Sequence, residues 1–234
     1  MPAVADNLTE ARDRVADAAR AAGRDPGDVT LVAVTKYATD EQVAALLAAG
    51  ARDLGENRPR QLADRAVRYA DTPGVRWHQI GQLQRNKVRK VVPAAHLTHS
   101  VDSDKLLAAV DRVAGEEGAT ARILLQVNVS GEASKSGLAP GAARRLWESV
   151  EKYNNVRVEG LMTLAPLPDR EADRENPAAV AALARPVFAG LRDLRDELAG
   201  PARLPVLSMG MSGDFEAAIA EGATHVRLGS ALLK

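Results

Sequence analysis

The sequence contains no cysteine, and this absence removes several kinds of chemistry at once. Disulfide bonds, thiol nucleophiles and thiolate metal sites are all excluded. Aromatic residues make up only 3% of the 234 residues, so the core must be built from Val, Leu, Ile and Ala. The formal net charge is zero, whereas a protein that binds nucleic acid or an anionic membrane surface normally has a basic excess. We therefore expect no nucleic-acid partner and no membrane partner.

Long apolar stretches are also missing. No uninterrupted run approaches the roughly 20 residues that a membrane-spanning helix requires. The first residues carry Asp6, Glu10 and Asp13 and lack the apolar core of a signal peptide. These features predict a cytoplasmic protein.

Helical and strand patterns alternate along the whole chain. An amphipathic helix over Leu8–Ala22 precedes the first strand, and Thr39 with Gln42 predicts a capping box for a helix over Asp40–Ala49. One long polar connection, Pro168–Pro177, is predicted to be a mobile loop. The predicted strands are Val29–Lys36, Ala51–Leu54, Val75–Ile80, His96–Val101, Ala121–Asn128, Val156–Met162, Leu204–Ser208 and His225–Leu228.

Eight βα units in about 230 residues are typical of a (β/α)8 TIM barrel. An open doubly wound sheet is the alternative, but no Gly-x-Gly-x-x-Gly motif follows any of the strands. We therefore predict an α/β protein in which residues 1–234 form a single barrel domain with an extra amino-terminal helix.

The first strand ends on a lysine, which is an unusual neighbour for an apolar, β-branched run. Lys36 could extend into solvent, or it could be desolvated, which lowers the pKa of an amine and makes it a Schiff-base nucleophile. Strand alternation gives Lys36 the same parity as Val32 and Val34, so we expect it to point inward over the barrel mouth. Barrel closure then places Arg227, at the end of the eighth strand, beside it.

Two neighbouring cations predict an anion between them. The loops Met209–Asp214 and Leu228–Ala231 follow the seventh and eighth strands, where barrels of this kind recurrently bind phosphate. Ser212 could cap a helix, contact the phosphate, or do both. An amine, a phosphate cradle and an arginine together suggest pyridoxal 5′-phosphate.

The remaining strand ends carry further polar candidates. His78 could be a metal ligand or a general base, but His78, His96, His99 and His225 show no paired spacing. We therefore expect no metal and interpret His78 as a hydrogen-bonding residue of the rim. The other residues found at the strand ends are Asn57, Ser100, Asn128, Met162, Ser208 and Met209.

Six segments, distributed in order over essentially the whole chain, resemble the pyridoxal phosphate homeostasis proteins. They are Val32–Lys36, Gly55–Asn57, Trp77–Lys87, Gly160–Met162, Ser208–Ser212 and Val226–Ser230. The resemblance implies a fold-type III barrel related to the amino-terminal domain of alanine racemases. It implies that Lys36 holds the cofactor as an internal aldimine and that Arg227 lies near the pyridine nitrogen. It further implies that Asn57 and Met209 line the cofactor and that Ser212, Gly229 and Ser230 hold the phosphate.

The same resemblance implies a non-catalytic carrier or regulator of vitamin B6. We expect it to be a monomer that supplies cofactor to dependent enzymes. A racemase needs an acid or base on each face of the substrate, and the parity of Tyr37 directs it away from Lys36. A pyridoxal phosphate-dependent racemase and a phosphosugar enzyme remain the alternatives. Four basic residues are expected to form a solvated helix face or to dock a client enzyme: Arg85, Lys87, Arg89 and Lys90.

Overall fold

In a computed structural model, which describes residues 2–168 and 170–233, eight parallel strands form a closed barrel in sequence order. The strands are β1 (Thr30–Val34), β2 (Asp53–Glu56), β3 (Arg76–Gln79), β4 (Leu97–Val101), β5 (Ala121–Gln126), β6 (Val156–Met162), β7 (Val206–Met211) and β8 (His225–Leu228). The helices are α1 (Pro2–Ala21), α2 (Asp40–Ala48), α3 (Pro59–Arg68), α4 (Val88–Val91), α5 (Asp104–Glu116), α6 (Pro140–Glu148), α7 (Pro177–Leu198), α8 (Gly200–Arg203), α9 (Phe215–Ala220) and α10 (Ser230–Leu233). The predicted (β/α)8 barrel with an added amino-terminal helix is confirmed.

Strand boundaries differ from the prediction mainly at the carboxyl ends. The predicted limits of β6 and β8 are those observed, whereas β1 ends two residues early, at Val34, and β7 continues to Met211. The register between β7 and β8 shifts between Ser208 and Met211, an irregularity that an apolar pattern does not reveal.

The inner face of the barrel is identified by a contact between strands that are not neighbours. In the closed order β5 and β6 separate β4 from β7, yet His99 Nδ1 lies 2.8 Å from Ser208 Oγ. Such a contact has to cross the interior. Strand alternation then assigns Leu97 and Val206 to the inner face and Met209 to the outer face.

The outer face of the barrel packs against the helices in the main hydrophobic cluster. Helix α1 joins this cluster through a stripe spaced for one helical face, consisting of Val4, Leu8, Ala11, Val15 and Ala19. The side chain of Arg12 on α1 donates to the carbonyls of Ala49 and Gly50, which follow α2. The predicted capping box of α2 is formed by Thr39 and Gln42.

The long polar connection after β6 contains a 3-10 turn over Glu171–Glu175, and Arg174 Nε donates to the carbonyl of Pro168 at 2.9 Å. Asp169, part of the predicted mobile loop, lies outside the described residues. Within residues 2–168 and 170–233, no helix is long and apolar enough to span a membrane.

Candidate functional site

Lys36 lies in a turn beyond the end of β1, not in the strand itself. Strand alternation therefore does not govern its direction. Its Nζ lies 5.0 Å from the centroid of the Tyr37 ring, and Tyr37 is 80% exposed. The prediction that Tyr37 points away from Lys36 is wrong, because the turn brings the two neighbouring side chains together.

Arg227 lies deeper in the barrel than predicted. Its partner in the β1–β8 register is Val32, so it is level with the middle of β1 and not beside Lys36. It is 4% exposed, and its guanidinium donates to Ser208 Oγ at 2.6 Å and to the carbonyl of Thr163 at 3.0 Å. Burial lowers the pKa of Arg227 to about 10, against an opposing effect of Asp214, so the group is a cation at neutral pH.

The loops after β7 and β8 are joined by the Ser212 hydroxyl. Ser212 Oγ accepts hydrogen bonds from the backbone N–H groups of Gly229, at 3.3 Å, and Ala231, at 3.5 Å. Helix α9 begins at Phe215, so Ser212 does not cap it, and that alternative is wrong. Ser212 instead holds two glycine-containing turns against each other at the carboxyl end of the barrel.

Glycine is required close to these turns. Gly210 has a φ of +91°, and a Cβ there would lie 2.7 Å from the Cβ of Ala218. At Gly229 a Cβ would lie 3.2 Å from the Cβ of Val34, the last residue of β1. The β8 loop therefore approaches the end of β1, the strand that precedes Lys36.

The other predicted contact residues differ in their surroundings. Asn57 is half-buried after β2, and its carbonyl accepts a hydrogen bond from Gln79 Nε2 at 3.1 Å. Ser230 is exposed at the start of α10. Met209 is fully buried and packs in the main hydrophobic cluster. We therefore expect any contact of Met209 with a ligand to come from its main chain.

A buried ion pair outside the sheet holds the turn that contains Lys36. Arg65 on α3 contacts Glu56 at the end of β2, and both side chains are almost inaccessible to solvent. The same guanidinium donates to the carbonyls of Thr35, at 2.7 Å, and Ala38, at 2.6 Å, while the Thr35 hydroxyl donates to Glu56. We call this group of Glu56, Arg65 and Thr35 the clamp. It fixes the backbone on both sides of Lys36.

A second buried polar group, missed by sequence reasoning, occupies the barrel interior. Asp53 Oδ1 lies 3.0 Å from His78 Nε2, and His78 Nδ1 lies 2.9 Å from His99 Nε2. His99 Nδ1 contacts Ser208 Oγ, which accepts from Arg227. We call these five residues the interior chain. It leads from Asp53, at the start of β2, to Arg227.

The interior chain corrects the interpretation of the histidines. His78 is 1% exposed and belongs to the interior, not to the rim. The four histidines are gathered, because the His78 ring centroid lies 5.1 to 6.1 Å from those of the other three. His78 and His99 both lie on the inner faces of adjacent strands, and this shared parity is the signal that could have paired them. No cluster of three potential metal ligands occurs within the described part of the chain.

Electrostatics favour neutral imidazoles around one carboxylate. Burial lowers the pKa of His78 and of His99, and it lowers the pKa of His225 to about 3. Burial raises the pKa of Asp53, but hydrogen bonds from His78 and Arg76 outweigh it and hold that pKa at about 2. Arg76 binds both carboxylate oxygens, at 2.7 and 2.5 Å.

The predicted basic stretch is exposed, as expected for a solvated face. Arg85, Lys87, Arg89 and Lys90 are all solvent-exposed, and Arg89 forms salt bridges with Glu116 and Glu117.

Comparison with known proteins places the chain among its relatives. The family model described as alanine racemase, N-terminal domain, matches residues 7–234. A pyridoxal phosphate homeostasis protein of Pseudomonas aeruginosa is 41% identical over 232 residues, which span 99% of this chain and 95% of that protein. The chain belongs to the pyridoxal phosphate homeostasis family. The family member of Escherichia coli K12 is 34% identical over 231 residues, 98% of this chain and 95% of that protein.

Solved structures agree with this family membership. PipY of Synechococcus elongatus, solved with pyridoxal phosphate bound, superimposes with a TM-score of 0.81 at 33% identity, covering 99% of this chain and all of PipY. An alanine racemase of Clostridium difficile shares only the fold, with a TM-score of 0.70 at 14% identity, and the match spans 56% of that enzyme.

Proposed function

We propose that this protein binds pyridoxal 5′-phosphate at the carboxyl end of its barrel and holds it for vitamin B6 homeostasis, without turning over amino acids. The observation that carries the proposal is the meeting of a lysine turn with two glycine loops at one barrel mouth. The carboxyl ends of all parallel strands share that mouth. The names of relatives and the ligand of PipY support the same cofactor.

The residues at this mouth fit the chemistry of the cofactor. When bound, pyridoxal phosphate supplies an aldehyde that condenses with an amine, with loss of water, and a phosphate that needs hydrogen-bond donors. Lys36 is the amine of the proposal. Among the described residues it forms no salt bridge, and its Nζ contacts only the Tyr37 ring.

We propose that Ser212, Gly229 and Ser230 hold the phosphate. The Ser212 hydroxyl accepts from the N–H groups of Gly229 and Ala231, so the two loops that supply the proposed phosphate contacts are already held together. We further propose that Arg227 faces the ring nitrogen and that Asn57 and the main chain of Met209 line the cofactor.

A holding role is favoured over racemisation by the groups near Lys36. A racemase needs a second acid or base opposite the lysine. Tyr37 lies beside the amine and so shares its side, while Tyr69 and Tyr153 are hydrogen-bonded to Asp40 and Asp104. A cationic Arg227 at the ring nitrogen would keep that nitrogen unprotonated, which weakens the electron sink that carbanion chemistry requires.

The test is a spectrum of the purified protein loaded with pyridoxal phosphate. We expect visible absorbance, and after borohydride reduction we expect the cofactor mass on the peptide that contains Lys36. Lys36→Ala should abolish both signals, whereas Lys105→Ala, which changes an exposed lysine on α5, is a control that should keep them. Absence of a lysine-bound cofactor would favour a phosphosugar enzyme of the same fold.

Catalysis is tested on the same preparation. We expect the loaded protein to leave the α-proton of alanine unexchanged in deuterated water. Exchange that depends on Lys36 would establish the racemase alternative.

We also propose that the protein acts as a monomer that delivers cofactor to dependent enzymes through its exposed basic stretch. Transfer to an apoenzyme should weaken with added salt, because exposed charges are screened. The double variant Arg85→Glu, Lys90→Glu should deliver cofactor more slowly, and Arg20→Glu on α1 serves as control. Unchanged delivery by the double variant would remove this docking role.

A further inference from the structure

The positions of the hydrogens in the interior chain follow from its two ends. Asp53 has a pKa of about 2, so at neutral pH it is a carboxylate that only accepts hydrogen bonds. His78 Nε2 must therefore carry a hydrogen and donate it to Asp53. A neutral imidazole has one donor and one acceptor, which leaves His78 Nδ1 as an acceptor.

The same reasoning passes from link to link. Because His78 Nδ1 accepts, His99 Nε2 must donate, and His99 Nδ1 becomes an acceptor. The hydroxyl of Ser208 then donates to His99 Nδ1, and its oxygen accepts from Arg227. Every hydrogen bond of the interior chain points from Arg227 towards Asp53.

This direction cannot reverse. A guanidinium has no acceptor and a carboxylate has no donor, so each end permits one orientation only. The interior chain is therefore not a path for moving a proton. It is a fixed series of dipoles between a buried cation and a buried anion.

The surroundings of Arg227 show that its orientation needs such support. Asp214 is a buried carboxyl close enough to affect the pKa of Arg227, yet no salt bridge joins them in the described part of the chain. Arg227 instead donates to a neutral hydroxyl and a neutral carbonyl. Asp214 Oδ1 accepts the backbone N–H of Met211 at 2.5 Å, so this carboxylate is held by its own loop while Arg227 is held by the interior chain.

We propose that Asp53, His78, His99 and Ser208 are positioning residues for Arg227, holding its guanidinium in the orientation that serves the ring nitrogen of bound pyridoxal phosphate. This inference rests on the proposed function for the contact with the cofactor. The interior chain stabilises the Arg227 cation through the carboxylate of Asp53 at the far end of the barrel. It thereby keeps negative charge away from the ring of the cofactor. A direct carboxylate partner at Arg227 would place that charge beside the cofactor.

The first test uses the protein without cofactor. In nitrogen NMR of the full chain at pH 7, we expect His78 and His99 to be neutral and to carry their hydrogen on Nε2. If either residue is found as the Nδ1–H tautomer or doubly protonated, the hydrogen-bond direction assigned to the interior chain is wrong, whichever ligand the protein binds.

The second test measures cofactor binding by titration of the visible absorbance. Ser208→Ala should raise the Kd for pyridoxal phosphate about tenfold to a hundredfold, the loss expected for a hydrogen bond to a charged group, and should shift the absorbance band. Ser208→Thr restores the hydroxyl and should restore both values. Asp53→Asn, at the other end of the barrel, should shift the band in the same direction by a smaller amount.

Controls separate this inference from the proposed function. Thr98→Val removes a buried hydroxyl of β4 that does not belong to the interior chain, so it should leave the Kd and the absorbance unchanged. If Arg227→Ala weakens binding while Ser208→Ala and Asp53→Asn do not, the chain has no positioning role. If Arg227→Ala also has no effect, the proposed contact of Arg227 with the cofactor fails. If borohydride traps nothing on Lys36, the proposed function itself fails.

Discussion

The clamp and the interior chain support the same barrel mouth from opposite faces of the sheet. The clamp, outside the barrel, joins Glu56 directly to Arg65 and holds the turn around Lys36. The interior chain separates its charged ends, Asp53 and Arg227, by three neutral groups. A direct ion pair fixes a backbone, whereas a neutral relay orients a side chain without adding charge beside it. The two devices should therefore respond differently to acid, substitution and salt.

Acid should affect the interior most strongly. The ordinary pKa of histidine is about 6.5, and burial lowers the pKa of His78, His99 and His225, so below pH 6.5 the unfolded chain binds more protons than the fold. Stability is therefore complete above pH 6.5 and is lost as the pH falls towards the lower folded values. Burial of His225, whose pKa in the fold is about 3, predicts by itself a loss of about 2 kcal/mol between pH 6.5 and 5, and burial of His78 and His99 adds to this loss in the same direction.

Urea unfolding measured from pH 8 to pH 5 checks this. His96→Gln removes the half-buried member of the histidine cluster, whose pKa burial lowers to about 4, so this variant should reduce the slope without abolishing it. A free energy of unfolding that does not change over this range would contradict the neutral interior.

The second largest effect should come from the clamp. Arg65→Met leaves Glu56 buried without its cation, for which we expect a loss of about 3–5 kcal/mol in the free energy of unfolding. Arg68→Ala, on the same helix, removes an exposed salt bridge to Asp40 and should cost less than about 1 kcal/mol. Equal losses in the two variants, measured by urea unfolding, would show that the buried ion pair of the clamp contributes no more to stability than an exposed one.

A finer comparison uses two buried threonines. Thr35→Val removes a hydroxyl that donates to a carboxylate, so we expect a loss of about 1.5–3 kcal/mol. Thr163→Val removes a hydroxyl that donates to the carbonyl of Val127 at 2.8 Å, with an expected loss of about 0.5–1.5 kcal/mol. Thermal unfolding of both variants tests the order. The reverse order would mean that Thr35 adds little to the clamp.

The smallest effect should be on the surface. Arg89→Ala breaks exposed salt bridges to Glu116 and Glu117 and should change the free energy of unfolding by less than about 1 kcal/mol. Repeating the measurement in 1 M salt should reduce even that difference, because the Debye length falls to about 3 Å. A difference that survives high salt would show that Arg89 contributes by packing.

The barrel was predictable because strand and helix periodicities repeat eight times with no competing motif. Residue identity also singled out Lys36 and the two glycine loops, whose role in binding stays a prediction. The position of each residue relative to the end of its strand was harder to predict. Lys36 lies in a turn because the clamp ends β1 at Val34, and Glu56 gave no local sign of contacting Thr35, 21 positions away.

The interior chain was missed for a related reason. His99 and Ser208 are 109 positions apart, and only barrel closure brings them together. Their linear spacing gave no sign of a cluster, although His78 and His99 both occupy inward-facing positions of adjacent strands. Ser212 was singled out as a phosphate contact, which stays a prediction. Its hydrogen-bond partners, the N–H groups of Gly229 and Ala231, belong to another loop.

The fixed direction of the interior chain also constrains how the sequence can diverge. Each link dictates the hydrogen position of the next, so a substitution at one link leaves its neighbour with an unpaired donor or acceptor. Viable change at His78 or His99 must then come in compensating pairs. Relatives that replace one of these histidines should therefore replace the other as well, so the two positions should vary together.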